Sequence, residues 1–476
     1  MNNANILVIG SGPSGIAAAT KLLELGFEKV SLLEAENRIG GRIHTIAFAD
    51  NVVDLGAQWC HGEKDNVVYE LASKGNFLAH SNEDFSKFEC IRSNKEELPK
   101  TLCIRLKTII DNILKAGEKD LLTYNDSVGA YITSSFEEAL KNPENADIDN
   151  TIAKEFLEHF KRYENSVDGC ESVYELAPKG FLEYWETEGD QALTWKETGY
   201  HQILRLLMKS TEINALGVLD QRVKLGKPVK KITWSATDNE EARVQVKCED
   251  DEILEADHVI VTVSLGVLKE KHSTLFEPKL PAEKTSAIET LGFGTVDKIF
   301  MEFTTQFWPS DWLGFSILWR EEELKEIRGT ERAWMEDVYG FYTVAHQPRI
   351  LSAWVVSSNA RHMETLSQQE ILEGSMYLLR KFLRWEIPLP VNFKTTSWYT
   401  NENFRGSYSF QSMKAEEINA KPSHLASPLV DSTTSMKPLV LFAGEATSEH
   451  RFSTVHGAIE TGWREAKRLA DFYKDQ

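Results

Sequence analysis

Three glycines, Gly10, Gly12 and Gly15, fall in G-x-G-x-x-G spacing within GSGPSG, and Glu34 follows about 20 residues after the last of them. Glycines so spaced permit a tight turn and let a pyrophosphate approach a helix N-terminus, whose free N–H groups stabilise negative charge. A carboxylate at Glu34 then stands where it can accept from a ribose hydroxyl. This chemistry needs a strand before the glycines, a helix after them and a second strand ending at the acid. The chain supplies all three. NILVIG is a short branched apolar run that reads as a buried strand, IAAATKLLELG as a helix ending at Gly26, and KVSLLEAE as a second strand. The context, more than the glycines alone, predicts a dinucleotide site.

Other chemistry-bearing residues lie on segments leaving that unit. Arg42, after two glycines in NRIGGRIHT, can set a guanidinium on a phosphate. His61, in DLGAQWCHG, fits a metal ligand, a core residue or a group aimed at a substrate. Lys298, in TVDKIFMEF, sits in an apolar strand, where an unpaired buried ammonium is costly; an outward-facing strand lysine is the plain alternative.

The bulk properties narrow the class. At 476 residues the chain predicts two domains, which length alone leaves free to be interleaved. Its 53 Lys and Arg against 73 Asp and Glu give a net charge of −20, which argues against nucleic acid as a partner. An acidic surface assists a cationic substrate, although solubility explains it equally well. The five cysteines are scattered with no C-x-x-C pair, so neither a zinc site nor a disulfide framework is expected. No signal peptide, peroxisomal S-K-L address or apolar run long enough to span a bilayer is read, and a cytoplasmic setting is the expectation.

Downstream, CIRLKTIIDNILKAG, TIAKEFLEHFKRYENS and residues 367–385 read as helices whose apolar spacing packing alone explains. VKKITW, ARVQVKC, ILEADHVIVTV and KIFMEF read as strands, with SATDNEE as a polar turn. Near the end, PLVLFAGEA is a buried strand that leads through TSEHRFSTVHG into a last helix. A loop holding Gly444 and Glu445 there can present backbone N–H groups to a ligand.

Together GSGPSG, LEAENRIGGRIHT, LGAQWCHG, GTVDKIFMEF, FRGSYSF and LFAGEATSEHRFSTVHGAIETGWREAKRL resemble the flavin-containing amine oxidases, and within them the polyamine oxidases that act on spermine or N1-acetylpolyamines. The likeness runs in order from residue 6 to 469. It implies a mixed α/β fold: a Rossmann-like FAD-binding domain from 1–80, 195–296 and 400–476, interleaved with a substrate-binding domain of mixed sheet plus helices from 81–194 and 297–399. It implies FAD, with Gly10, Gly12, Gly15, Glu34 and Arg42 on the ADP half, Val229 at the adenine, Glu445 at the ribityl or phosphate, and the N–H groups of Thr454 and Val455 at the flavin pyrimidine. Ser407 stands where monoamine oxidases carry the cysteine bonded to flavin, so the cofactor is expected to be noncovalent.

The resemblance further implies a reaction. A hydride equivalent passes from the carbon beside a neutral amine nitrogen to flavin N5, and O2 then reoxidises the flavin to give H2O2. Lys298 matches a lysine that holds a water near N5. His61 matches a histidine that hydrogen-bonds a substrate amine, and no metal is implied. Tyr408 matches an aromatic facing the flavin, and Thr454 replaces its partner aromatic, which opens the cage toward a longer polar chain. Trp59 and Trp398 pack around the isoalloxazine. Glu183, with Tyr184 beside it, is the best match for a carboxylate on the distal amine, and Tyr200 is a second substrate-facing choice. Asp297 lies nearer the spermine oxidase version and Val296 leaves room for an acetyl methyl, so N1-acetylated polyamines are slightly favoured over spermine. An L-amino-acid oxidase and a non-catalytic FAD-binding protein are the rival readings. No membrane or nucleic-acid partner is expected, and oligomeric state is not legible.

Overall fold

A computed structural model describes residues 3–81, 88–212, 215–234, 244–431 and 436–474. The SATDNEE turn lies outside the described residues. The opening unit forms as the pattern requires: β1 (Asn5–Ile9), α1 (Pro13–Glu24) and β2 (Lys29–Leu33). β1 pairs in parallel with β2 (Val8 opposite Leu32) and with the strand His258–Val261 (Val8 opposite Ile260). The sheet continues through Lys437–Phe442 to an antiparallel edge at Leu429–Asp431, and on its other side to Val223–Lys224. Its central strands are buried on both faces, as parallel strands covered by helices must be.

The last helix, Val455–Lys474, packs against α1 through Ile16, Ala17, Ile459, Ala466 and Leu469. Gly462 permits that approach, since a Cβ there would stand 2.2 Å from the Ser14 carbonyl oxygen. A smaller sheet of Ile253–Ala256, Val244–Cys248, Val229–Thr233 and Phe276–Glu277 lies on the flank.

A second six-stranded sheet runs Asn392–Thr395, Val296–Glu302, Gln347–Val356, Val338–Val344, Gly314–Leu318 and Glu89–Arg92. It is antiparallel except at its last pair. The sequence reading found only the Val296–Glu302 strand of this sheet. Helices Lys100–Ala116 and Asn150–Asp168 form where their apolar spacing places them, the second capped by Asp149. All five cysteines are buried and none is disulfide-bonded. No described helix is long and apolar enough to cross a membrane.

Candidate functional site

One cavity of about 1860 Å³ runs from the glycine turn after β1 to the inner face of the second sheet. That is larger than the few hundred to about 1,000 Å³ of an ordinary ligand pocket and leaves room for a dinucleotide with a second ligand beside it.

At the nucleotide end, Gly10, Gly12, Pro13 and Ser14 line the wall. Gly10 has φ +102°, in the region that favours glycine, and a Cβ there would meet Thr262 Oγ1 at 2.5 Å. Gly15 does not line the cavity. A Cβ on it would stand 2.0 Å from the Gly10 carbonyl oxygen, so its part is to let α1 close against the turn. α1 begins at Gly12 with no side-chain cap, which leaves its first N–H groups for a ligand. Ser14 Oγ is buried without a partner at that same place. Glu34 lines the cavity and is held by Ser11, whose N–H and Oγ donate to Oε2 at 2.8 and 2.7 Å. Val229, Arg42, Glu445, Thr454 and Val455 line it as well. Thr454 Oγ1 accepts from Gly457 N–H at 3.0 Å and so caps the last helix at the cavity wall. An uncapped helix start, an orphaned hydroxyl and a glycine cradle fit a bound dinucleotide.

Deeper in, Lys298 projects from Val296–Glu302 and is 3% exposed. Its Nζ donates to the carbonyl oxygens of Asp54 (3.0 Å) and Gly56 (2.7 Å) and to Gln58 Oε1 (2.8 Å). Burial pushes its pKa down to about 7, against the pull of the Asp54 carboxylate. Trp354 sits directly across the strand pair, which sets Nζ 4.4 Å from its ring centre. Trp354 in turn stacks on Trp59 at 5.2 Å. Trp398, Ser407 and Tyr408 line the same chamber. The Tyr408 hydroxyl donates to the Ser166 carbonyl, and burial holds the phenol well above its ordinary pKa. Val296 lines the cavity, whereas Asp297 turns to the opposite face of the strand and accepts from Thr396 Oγ1 at 2.6 Å.

His61 lines the cavity. With the Gln191 carbonyl 2.7 Å away, Nδ1 must be the donor, which leaves Nε2 as the acceptor of a neutral ring. Burial lowers the pKa, so the neutral form is favoured. The backbone carbonyl of His61 is gripped by Asn66 Nδ2 at 2.7 Å and by the Thr187 hydroxyl. Among the described residues no group of three His, Cys, Asp or Glu is arranged to hold a metal.

Glu183 departs from expectation. It does not line the cavity; its side chain is 55% exposed and reaches His450 Nδ1 at 3.2 Å. The reason is local: Glu183 caps the short helix Pro178–Leu182 and turns outward, while its neighbour Tyr184 turns in. Tyr200 lines the cavity beside Trp195. Acids that do line this end include Glu164, Asp168 and Glu186, and Asp111 and Glu118 line the cavity together with Lys107, Lys115 and Lys119. Glu164 and Asp168, with Trp354, Tyr339 and Tyr342, are cavity residues that sequence reasoning missed.

The family model described as flavin containing amine oxidoreductase matches residues 13–470. The chain is 31% identical to the peroxisomal N(1)-acetyl-spermine/spermidine oxidase of Bos taurus, over 99% of this chain and 95% of that enzyme. It is 28% identical to a probable polyamine oxidase of Arabidopsis thaliana, over 99% of each chain. A solved structure of a putrescine oxidase double mutant, redesigned in cofactor binding, superposes with a TM-score of 0.67 at 18% identity, covering 98% of this chain and 99% of that one.

Proposed function

The chain belongs to the flavin-containing amine oxidoreductases, with FAD as its cofactor, and on that premise we propose that it oxidises polyamines at the carbon beside a secondary amine. The observation that carries this reading is one cavity that joins a dinucleotide cradle, an aromatic chamber with Lys298, and a far wall bearing Glu164, Asp168 and Glu186. Bound FAD supplies the two-electron acceptor, and O2 the final oxidant, giving H2O2. We assign the nucleotide-binding half to 1–80, 195–296 and 400–476, and the substrate-binding half to 81–194 and 297–399.

The residues named here divide the work. The uncapped start of α1, Arg42 and Glu34 hold the nucleotide, and the start of the last helix holds the far end of the cofactor. The aromatic walls formed by Trp59, Trp354, Trp398 and Tyr408 exclude water from the reacting amine. Exclusion of water favours the neutral nitrogen, whose lone pair assists removal of hydride from the adjacent carbon. The acceptor nitrogen of His61 takes a hydrogen bond from a substrate N–H and so fixes which carbon lies at the chamber. Lys298, whose three N–H groups are taken by the Asp54 and Gly56 carbonyls and Gln58 Oε1, fixes that segment beside it. The acidic wall receives a distal ammonium, and it repels the carboxylate of an amino acid.

The test is anaerobic addition of spermine, N1-acetylspermine and L-leucine, each separately, to the yellow FAD-loaded protein. Bleaching of the flavin band by the polyamines alone is the expected outcome, with the acetylated substrate faster. Bleaching by leucine only, or by none of the three, would overturn the reading.

A further inference from the structure

This inference rests on the oxidase reading of the chamber. The strand Asn392–Thr395 pairs with Val296–Glu302 as far as Thr395, opposite Ile299. One residue later a hydroxyl takes over from the backbone. Lys298 N–H donates to Thr396 Oγ1 at 2.8 Å, while Thr396 N–H donates to the Lys298 carbonyl at 3.0 Å. The Thr396 hydroxyl proton is given to Asp297 Oδ1 at 2.6 Å, and the same oxygen accepts from Trp398 N–H at 3.4 Å. Glu364 takes the next two donors, Tyr399 N–H at 2.8 Å and Thr400 N–H at 2.6 Å. Residues 396–400 belong to no strand or helix, so two carboxyl groups and one hydroxyl do the work of a ladder there.

What this segment carries is Trp398, which lines the cavity. Its indole lies on Gly56, where a Cβ would stand 3.2 Å from Trp398 Cζ2. The carbonyl of that same Gly56 accepts from Lys298 Nζ at 2.7 Å, so the indole and the ammonium are both set against one residue. Asp297, Thr396 and Glu364 do not line the cavity. Asp297 is fully buried, and its Oδ2 has no donor. Burial, and the negative charge of Glu364 beyond it, hold the Asp297 carboxyl well above the carboxylate range. A buried acid with an unpartnered oxygen costs stability that an apolar strand residue would not, and what Oδ1 holds accounts for its presence.

We propose that Asp297, Thr396 and Glu364 form a clasp behind the second sheet that positions Trp398 and Lys298 against Gly56 for amine oxidation. None of the three touches the reacting atoms; they are positioning residues. With the clasp open, the 396–400 segment leaves Gly56 and water enters past the indole. The neutral form of the reacting amine is then no longer favoured, whereas contacts to the rest of the substrate persist. The loss therefore falls on the rate of flavin reduction and not on the concentration of amine needed.

The test uses the FAD-loaded protein. Visible circular dichroism of the bound flavin, without substrate, reads the chamber wall; stopped-flow reduction by N1-acetylspermine and by spermine reads its use. Thr396→Val should alter the flavin dichroism and lower the limiting reduction rate on the order of 10-fold, with the half-saturating amine concentration unmoved. Glu364→Ala leaves the buried Asp297–Thr396 pair intact and should move both readings the same way by less; it decides the matter if Thr396→Val sheds its FAD. Thr396→Ser and Asp297→Asn, which keep the hydroxyl and the acceptor oxygen, should recover the dichroism and the rate. Wild-type dichroism and rates in Thr396→Val and Glu364→Ala, or an equal loss in Thr396→Ser, would overturn the clasp. A wild type that neither polyamine reduces would sink the polyamine reading instead, and the dichroism would still decide the clasp.

Discussion

Arg42 and Glu445, 403 positions apart in the chain, form an ion pair in which Nη1 donates to Oε1 at 2.9 Å. The same nitrogen reaches the Ser407 carbonyl at 2.6 Å, and the other Glu445 oxygen accepts from Ser409 Oγ at 2.6 Å and Ser453 N–H at 2.9 Å. Three distant segments therefore meet around one carboxylate on the cavity wall. Arg42→Met leaves Glu445, 5% exposed, without its counter-ion. The expected result is a loss of about 3 kcal/mol in stability and release of FAD on desalting. A variant that stays yellow with an unchanged thermal midpoint would contradict it.

Lys298→Met removes the ammonium from the reaction chamber and leaves the Asp54 and Gly56 carbonyls and the Gln58 amide without its hydrogen bonds. Flavin turnover with a polyamine should fall about 10²-fold while FAD is retained. Stopped-flow measurement of flavin reduction and reoxidation separates the two half-reactions. Wild-type rates in both would remove Lys298 from the chemistry.

Lys284 offers a test of stability alone. It is 2% exposed, outside the cavity, and donates to the carbonyls of His424, Leu425 and Ser427 at 3.0, 2.6 and 2.7 Å, with the Phe442 ring 4.0 Å away. Lys284→Met orphans those carbonyls at the end of the Pro422–Ala426 helix and should cost about 2–3 kcal/mol, with the flavin spectrum unmoved. Denaturant unfolding followed by fluorescence reads the difference.

The buried acids predict a pH dependence. Glu164 rises from its ordinary 4.5 to about 7 in the folded chain, so between those values the folded state holds a proton that the unfolded state has lost. Its contribution to stability is present below pH 4.5 and disappears as pH rises through about 7. Glu164→Gln, which cannot titrate, should therefore gain on the wild type as pH increases across that window, by up to about 3 kcal/mol. Parallel curves for the two proteins would show that Glu164 does not carry the shift.

What the sequence made legible followed from local rules. The strand, glycine turn, helix and second strand around Gly10 and Glu34 are specified by neighbours in the chain, and the structure builds them with β1, α1 and β2 in register. What was hidden depended on distant pairing. Trp354 becomes a neighbour of Lys298 only because Gln347–Val356 lies antiparallel to Val296–Glu302, a register with no local signature. Glu164 and Asp168 were concealed differently: the apolar spacing of their helix explained it as packing, and no local rule says which of its faces a cavity will open on. Glu183 was misjudged for the same reason, since in a run crowded with acids the direction of each is fixed by the backbone turn after Pro178–Leu182.

The burial of all five cysteines bears on how long such a protein lasts. Under the proposed chemistry each turnover releases a molecule of peroxide beside the chain that made it, and peroxide attacks thiolates. Burial holds the Cys60 thiol up near 12 and raises Cys170, and the contact with Cys103, together with burial, raises Cys90; the same contact lowers Cys103, which its burial at 3% exposure still shelters from solvent peroxide. Oxidative ageing then begins elsewhere, at the thioether of Met436, 62% exposed, where the damage touches neither cavity nor core.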